Sequence, residues 1–289
     1  MNNIQNIFIS SSCIRGKTTS EAVKILAKEG FIDIELSGGH LYEENLQENL
    51  GNLKEKFNLN YSIHNYFPPP KKNFVLNIAS CDDLLLKKTI DFYKDTIVLC
   101  KNLNVKKYGM HGGFLVDPKP KELGKTIDFH KLYPRNESLD RMVQSYNSLK
   151  QTAENKIKLY FENNVITKKN LKKFKENPFL LTNKKSYLEL KKKFDLNLLL
   201  DLAHLKVSCN SLNLNFYEEA SFLIKETDYV HISGNKGEVD SNESIVNDHE
   251  LIKILKENDI KTKTVTLEVY ENLTAIKTNL NFLNKIISK

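Results

Sequence analysis

The sequence has few of the features that mark redox, disulfide-rich or zinc-ribbon proteins. It has only four cysteines in 289 residues, and no two of them have the CxxC spacing of a thioredoxin-type site or a zinc ribbon. A chain of this length can bury a large core, so it needs neither disulfides nor a structural metal to fold. We therefore expect four reduced thiols, those of Cys13, Cys81, Cys100 and Cys209.

Arginine is also scarce. The chain has 43 Lys and Arg against 36 Asp and Glu, which gives a formal charge of +7, but only Arg15, Arg135 and Arg141 are arginines. A groove for DNA normally contains arginine, because guanidinium groups make bidentate contacts with phosphates and bases. The positive charge therefore indicates a lysine-rich composition more than a nucleic-acid surface, although it suits an anionic substrate such as a sugar phosphate.

Long apolar segments are missing too. The first residues lack the basic region and the apolar stretch of a secretory signal, and no run approaches the ~20 apolar residues that span a membrane. Hydrophobic residues make up 40% of the chain and charged residues 27%, which is typical of a globular protein. These features predict a soluble cytoplasmic protein without membrane contact.

Short β-rich segments alternate with helical patterns along the whole chain. Thr18 and Glu21 have the spacing of a capping box before a helix that ends at Gly30, and Asp82 can cap a long helix to about Leu103. Further helical patterns cover residues 138–155, 184–193, 218–226, 248–258 and 273–287. The predicted strands are residues 4–10, 31–36, 61–64, 106–111, 157–162, 196–201, 228–232 and 264–269.

This alternation predicts an α/β fold with a parallel sheet and right-handed crossovers. Eight units predict closure as a (β/α)₈ TIM barrel, which typically needs about 250 residues. The alternative is an open doubly wound sheet, but no glycine-rich dinucleotide loop follows the first strand. No second domain or internal repeat is visible, so we expect residues 1–289 to form one domain.

Two long connections are expected at the catalytic face of such a barrel. Residues 114–136 follow the fourth strand and contain three prolines, and residues 233–247 follow the seventh strand. Loops of this length are usually lids, binding loops or insertions. We interpret residues 114–136 either as a lid, with Tyr133 and Arg135 reaching the substrate, or as a surface insertion.

Ionisable residues lie at the ends of seven predicted strands. Strand side chains alternate between two faces, and the apolar phase fits the helix-covered face of a barrel. In the fifth strand, Leu159 and Phe161 oppose Glu162, which leaves Glu162 for the lumen. The residues that converge at the mouth are Glu35, His64, His111, Glu162, Asp201, His231 and Glu268, with His204 three residues beyond Asp201.

This set of acids and histidines predicts a divalent-metal site. Carboxylates that converge in a barrel mouth repel one another unless a cation lies between them. Mixed His and carboxylate ligands suit Zn²⁺, Mn²⁺, Fe²⁺ or Co²⁺ better than Ca²⁺. Taken singly, each residue also has a structural interpretation, and Glu35 in particular fits a salt-bridge partner or a substrate contact.

The ordered series of strand ends resembles the xylose isomerase-like TIM-barrel superfamily over nearly the whole chain. This superfamily includes sugar isomerases, ketose 3-epimerases and endonuclease IV. The matching segments are FIDIEL with Glu35, SIHNYF with His64, GMHGGF with His111, YFENN with Glu162, LLLDLAH with Asp201 and His204, YVHISG with His231 and VTLEVYEN with Glu268. The resemblance implies the fold and a metal site, and it leaves the reaction open.

The resemblance to the epimerase branch implies one metal ion, whose ligands would be Glu162, Asp201, His231 and Glu268. Glu162 and Glu268 would also be the catalytic acid–base groups that move a proton beside a carbonyl. His204 would orient substrate oxygens, and Glu35 would contact the substrate or support the site.

The resemblance to endonuclease IV implies three zinc ions and cleavage of abasic DNA. The additional ligands would be His64, His111, His204 and His249. Two departures count against this reaction: Asn247 stands where a carboxylate ligand is expected, and the turn after the fourth strand reads HGG instead of HPG. Tyr66 would be a base-stacking residue or, with the prolines that follow it, part of a rigid wall.

We therefore expect a divalent-metal-dependent isomerase or epimerase for a small carbohydrate or sugar phosphate, with one to three Zn²⁺ or Mn²⁺ ions, as a monomer or homodimer. The alternative is a zinc phosphodiesterase that acts on abasic DNA. A multinuclear enzyme for an amino acid or peptide and a barrel that only binds a small ligand are further hypotheses.

Overall fold

The barrel predicted from the sequence is present in the computed structural model, which describes residues 7–128 and 130–287. Eight parallel strands close in chain order, each paired with the next and the last with the first. The strands are β1 (Ile7–Ser10), β2 (Asp33–Leu36), β3 (Asn60–Ile63), β4 (Lys107–His111), β5 (Lys158–Glu162), β6 (Leu198–Asp201), β7 (Tyr229–Ile232) and β8 (Thr264–Leu267).

Helices connect the strands and cover the outside of the barrel. They are α1 (Thr19–Lys28), α2 (Leu46–Phe57), α3 (Asp83–Asn102), α4 (Arg135–Ala153), α5 (Lys168–Phe174), α6 (Lys184–Lys191), α7 (Leu202–Leu212), α8 (Phe216–Lys225), α9 (His249–Glu257) and α10 (Leu273–Ile287). Two short 3₁₀ helices, Ser11–Cys13 and Pro120–Glu122, lie in loops at the mouth. No helix in the described part of the chain is long and apolar enough to cross a membrane.

The predicted strands agree with the observed ones to within one or two residues at each described end. Residues 4–6 of the first predicted strand lie outside the described residues. The capping box before α1 is confirmed, because Thr18 accepts a hydrogen bond from the Glu21 amide and Glu21 accepts one from the Thr18 amide. Asp82 caps α3 as predicted, through its Oδ1 and two backbone amides.

The strand parity predicted from the sequence is also observed. The apolar phase, such as Ile34 and Phe161, packs in the main core together with helix residues. The opposite phase fills the lumen, where Tyr160, Leu199 and Tyr229 form a separate buried cluster. Because these large side chains close the lumen, polar strand ends above them face only the mouth.

The connection of residues 114–136 packs closely on the barrel. Phe114 forms an isolated bridge with Phe179, and both belong to a second apolar cluster with Ile127. Asp117 accepts hydrogen bonds from Asn77 at 2.6 Å and from the Tyr133 hydroxyl at 2.5 Å. Tyr133 is thus bound within the loop, and the function of the loop as a lid stays a prediction.

Candidate metal centre

Glu162 lies at the centre of the barrel mouth, at the end of β5. Its Oε2 is 2.9 Å from His111 Nε2 and 3.1 Å from His64 Nε2, and its Oε1 is 3.1 Å from His231 Nδ1. Strand register explains the convergence, since β4 and β5 pair with His111 opposite Glu162. The side chain is 1% exposed, so a charged Glu162 must be balanced by its neighbours.

Gly109 on β4 makes room for one of these neighbours. A Cβ at this position would lie 2.9 Å from His64 Cδ2 and 2.8 Å from Leu199 Cδ2. A larger residue would therefore force the His64 ring away from Glu162. Gly109, in the lumen phase of β4, thus leaves the space that the side chains of His64 and Leu199 occupy.

His231 has carboxylates on both sides of its ring. Its Nδ1 faces Glu162 and also lies 3.6 Å from Glu268 Oε2, while its Nε2 is 3.1 Å from Glu35 Oε1. Burial opposes a proton on the ring, but Glu35 and Glu268 outweigh it and raise the pKa of His231 well above the usual value. Each nitrogen of the ring therefore faces at least one carboxylate.

Asp201 and His204 form the next part of the site. Asp201 ends β6 and also caps α7, because its Oδ1 accepts a hydrogen bond from the His204 amide at 2.7 Å. His204 Nδ1 is 2.8 Å from the Asn163 carbonyl, so this nitrogen carries a proton and donates it. His204 Nε2 is 3.3 Å from Asp240 Oδ2 and faces the cavity at the mouth.

The surroundings shift the pKa values of two carboxylates of the site in opposite directions. Burial raises the pKa of Asp201 to about 7, although the nearby His204 opposes the shift. Burial would also raise the pKa of Glu162, but His64, His204 and His111 outweigh it and hold that pKa well below the usual value. A cation beside Asp201 would favour its ionised form, which is the form that binds metal.

The donor atoms fit a divalent metal. Glu162 Oε1 and His231 Nδ1 are both buried without a hydrogen-bond partner, yet they lie only 3.1 Å apart. Ligands about 2.0–2.2 Å from one ion have mutual separations of roughly 3.0–3.5 Å, so this spacing suits two ligands of the same cation. Three groups among the described residues have ligand atoms that all lie within 4.8 Å of one another: Glu162, Asp201 and His231; His64, His111 and Glu162; and Glu35, His64, His231 and Glu268.

His249 does not join these groups, contrary to the prediction for a third zinc site. It is the first residue of α9, its side chain is exposed, and Asn247 is exposed as well. The intervening Asp248 turns inward instead, where its Oδ1 caps α9 and binds Lys206 Nζ at 2.7 Å. The residue that faces His204 from this connection is Asp240, which sequence reasoning missed within the loop of residues 233–247.

Glu35 is in the lumen as its parity predicts, but it is not the expected substrate contact. The residue is 0% exposed and does not line the cavity, because it lies beneath His231. Its carboxylate accepts hydrogen bonds from the hydroxyls of Tyr229 and Thr266. Of the two alternatives left by the sequence, the structure supports the ion pair.

Arg135 is also not at the site, so its prediction as a substrate contact is wrong. It begins α4 and forms a two-pronged ion pair with Glu189 on α6, with Nε 3.0 Å from Glu189 Oε1. The guanidinium group therefore joins two helices at the outer surface. Tyr66, in contrast, lines the cavity, with its ring edge-on to His111 at 5.5 Å between centroids, and its contact with a substrate stays a prediction.

The cavity above the cluster has a volume of about 700 Å³, which is within the range of small-molecule sites. His64, His111, Glu162, His204 and Glu268 open into it. Three further residues at its edge have no strong signal in the sequence: Arg15, Asp240 and Tyr270. Arg15 lies over the Tyr270 ring at 4.2 Å, so a guanidinium group borders a cavity that is also lined by carboxylates and histidines.

The fold and the site together define a TIM-barrel protein with a candidate metal centre at the carboxyl ends of its strands. The family model described as xylose isomerase-like TIM barrel matches residues 23–286, and the chain belongs to this family. No curated protein matches the chain in sequence.

Solved structures with the same fold include enzymes of both branches. A D-tagatose 3-epimerase-like protein has a TM-score of 0.72 at 19% identity over 98% of each chain. The D-psicose 3-epimerase of Clostridium cellulolyticum has a TM-score of 0.65 at 13% identity, over 98% of this chain and 99% of that one. Endonuclease IV of Thermus thermophilus has a TM-score of 0.61 at 14% identity, over 98% of this chain and 99% of that one. At such low identity the likeness shows the fold alone.

Proposed function

We propose that this protein is a divalent-metal-dependent isomerase or epimerase of a sugar or sugar phosphate. The observation that carries the proposal is the pair of carboxylates around His231. Glu162 and Glu268 both approach His231 Nδ1, at 3.1 and 3.6 Å, and both open into the cavity. Two carboxylates that open into one cavity suit a reaction in which one removes a proton and the other returns it.

Glu162, Asp201, His231 and Glu268 would hold the ion, which we propose to be Mn²⁺ or Zn²⁺. When bound, the ion supplies a Lewis acid for the negative charge that develops on a substrate carbonyl. The buried lone pairs of Glu162 and His231 support this set, and Asp201 lies within 4.8 Å of both.

Other steps, which are proton transfer, orientation of the substrate and exclusion of water, would depend on the side chains. One of the carboxylates, Glu162 or Glu268, accepts the proton from the carbon beside the carbonyl, and the other returns a proton from the opposite side. The Asn163 carbonyl holds the His204 ring through Nδ1, so that Nε2, beside Asp240, faces the cavity and would orient a substrate oxygen. Large lumen side chains beneath the cluster limit the access of water from below.

Proton exchange with solvent tests the proposal. The protein, loaded with Mn²⁺, Co²⁺ or Zn²⁺, is incubated in D₂O with keto and aldo sugars and their phosphates. We expect deuterium incorporation beside the carbonyl by NMR, abolished by a chelator and reduced at least ~100-fold in Glu162→Gln and Glu268→Gln. His249→Gln is the matched control, since its side chain is exposed outside the site. No exchange at any carbon of any substrate contradicts the proposal.

A second candidate function is hydrolysis of a phosphodiester in abasic DNA. The observation that favours it is the additional group of His64, His111 and Glu162, which would hold a second ion beside the first. Two neighbouring ions can clamp a phosphate and its attacking water. Incision of a duplex with one abasic site by the zinc-loaded protein tests this function, and an intact duplex excludes it.

A further inference from the structure

A side chamber opens from the main cavity beneath the connection of residues 114–136. Its volume is about 170 Å³. Much of its wall is apolar and consists of Phe114, Leu123, Ile127, Val165 and Phe179. The two cavities share five lining residues: Tyr66, His111, Leu123, His204 and Asp240. A group in the side chamber would therefore lie beside His111 and His204 of the main cavity.

Three polar side chains in the chamber wall, those of Glu122, Asn164 and Asn170, have partners in the surrounding loops. Asn170 accepts a hydrogen bond from the Ile127 amide and donates one to the Lys125 carbonyl, both at 3.0 Å. Glu122 accepts from the Lys119 amide at 2.7 Å, and Asn164 donates to the Leu180 carbonyl at 2.8 Å. The polar atoms left for a ligand are thus at the junction with the main cavity, where the Tyr66 hydroxyl and Asp240 Oδ1 are buried without a hydrogen-bond partner.

We propose that the side chamber binds an apolar substituent of the substrate, about the size of a phenyl ring. A protein cavity of about 150 Å³ lined by Leu, Ile and Phe binds benzene, so the volume of the chamber and the apolar part of its wall fit such a group. His111, His204 and Asp240 at the junction would face the polar part of the same molecule. The substrate class is then a carbohydrate that carries an aryl or short alkyl group, and only the carbohydrate part of this inference rests on the proposed function.

Binding of benzyl alcohol to the metal-free protein tests the chamber. The Ile127 methyl groups, labelled with ¹³C, report on the probe by NMR. We expect saturable shifts in the wild type. Val165→Phe should weaken binding at least tenfold, because Val165 is half-buried and its larger replacement fills the chamber. Val165→Ala is the matched control and should retain binding.

Either of two results would overturn this inference: no saturable shift in the wild type, or equal binding by Val165→Phe. If Val165→Phe does not fold, Leu123→Phe fills the chamber from its other side and gives the same decision. The probe needs neither metal nor turnover, so a failure here is distinct from a failure of the isomerase assay.

An independent observation concerns the hydrogen bonds beneath His231. Glu35 Oε2 accepts from the hydroxyls of Tyr229, of Thr266 at 3.0 Å and of Ser62 at 3.4 Å. These donors from three strands fix the carboxylate in one orientation. His231 Nε2 is 3.2 Å from the same oxygen, on the side of the ring away from Glu162.

We infer that Glu35 is a positioning residue for the metal centre, and this inference rests on the proposed function. Glu35 accepts the Nε2 proton of His231, which leaves Nδ1, on the side of Glu162 and Glu268, to bind the ion. Carboxylates that hold a ligating histidine in this way set its tautomer and ring orientation, and their loss typically costs about 10–100-fold in metal affinity.

Glu35→Gln tests this function of Glu35, with Asp33→Asn as the matched control. Asp33 is on the same strand and loses the same charge, but its Oδ1 binds Asn60 at the opposite end of the barrel. We expect Co²⁺ affinity, titrated by its visible absorption, to fall at least tenfold in Glu35→Gln and to stay unchanged in Asp33→Asn. The Co²⁺ spectrum should also change in Glu35→Gln, which a loss of stability alone would not cause.

Equal affinity and an equal Co²⁺ spectrum in Glu35→Gln and the wild type would overturn the positioning of His231 by Glu35. If the wild type binds no ion, the proposed function is contradicted. In that case the crystal structure of Glu35→Gln tests whether Glu35 orients His231. A His231 ring in its original orientation would overturn the inference.

Discussion

At the scale of single residues, one imidazole connects the whole candidate site. His231 approaches Glu162 and Glu268 with one ring nitrogen and Glu35 with the other. An imidazole in this position can bind a metal through one nitrogen while its second nitrogen donates to a carboxylate. His64 and Asp201 share groups of closely spaced ligand atoms with His231, His111 joins through Glu162, and the exposed His249 joins none of these groups.

We expect the metal content per chain to fall only in variants of residues whose ligand atoms lie close together. We expect His231→Ala to lose most of the metal, because it removes a shared member of the buried groups. His249→Ala should keep the wild-type content, and His111→Ala should lose an ion only if a second one binds beside His64 and Glu162. Elemental analysis of protein purified without chelators gives the stoichiometry, and a clear loss in His249→Ala would contradict the placement of this residue.

At the scale of elements, a buried ion pair holds the connection of residues 233–247 against the barrel. Lys206 on α7 donates to Asp248 at 2.7 Å and to the Asn235 carbonyl at 3.1 Å, and the side chains of this ion pair are 12% and 5% exposed. Asp248 also caps α9. The same contact therefore orders the loop that carries Asp240 toward His204.

Lys206→Met should destabilise the protein by about 3 kcal/mol, because it leaves Asp248 buried without a counter-charge. Urea unfolding monitored by circular dichroism measures this change. Lys256→Met on the exposed side of α9 is the control and should change stability by about 0.5 kcal/mol or less. Equal effects of the two variants would contradict the importance of the buried pair.

The ion pair that joins α4 and α6 should have little effect on the reaction. Arg135→Ala removes a contact with Glu189 whose side chains are 39% and 38% exposed, so solvent screening limits its contribution to less than about 1 kcal/mol. KM for any substrate found should stay within about twofold of the wild type, since this arginine does not line the cavity. Steady-state kinetics check this, and a large rise in KM would place Arg135 at the substrate after all.

At the scale of the whole molecule, the site joins seven strands of one closed barrel. A ligand that binds only the folded chain stabilises it by mass action. At a free metal concentration of about 100 Kd the gain is about 2.7 kcal/mol, or roughly 5 °C in Tm for a chain of this size. Thermal unfolding with Mn²⁺ or Zn²⁺ against a chelator should show this shift, and His231→Ala should abolish it.

Several features followed from the sequence because they depend on local rules. The period of two in each strand separates lumen from helix-covered residues, and this placed Glu35, Glu162 and His231 on the correct face. Capping patterns predicted the start of α1 and α3. We did not predict the helix α7 from the sequence. Asp201 is both the last residue of β6 and the N-cap of α7, so no loop residues separate the strand from the helix.

The barrel and the set of strand-end acids and histidines were thus determined by the sequence, because parity and strand order are local properties. Only the tertiary structure decided how deep each side chain lies in the lumen and which way the loop residues point. Parity places Glu35 in the lumen, but the Tyr229, Thr266 and Ser62 hydroxyls determine that it lies under His231 and not at the substrate. Loops obey no such period, so only packing shows that Asp240 turns inward and His249 outward.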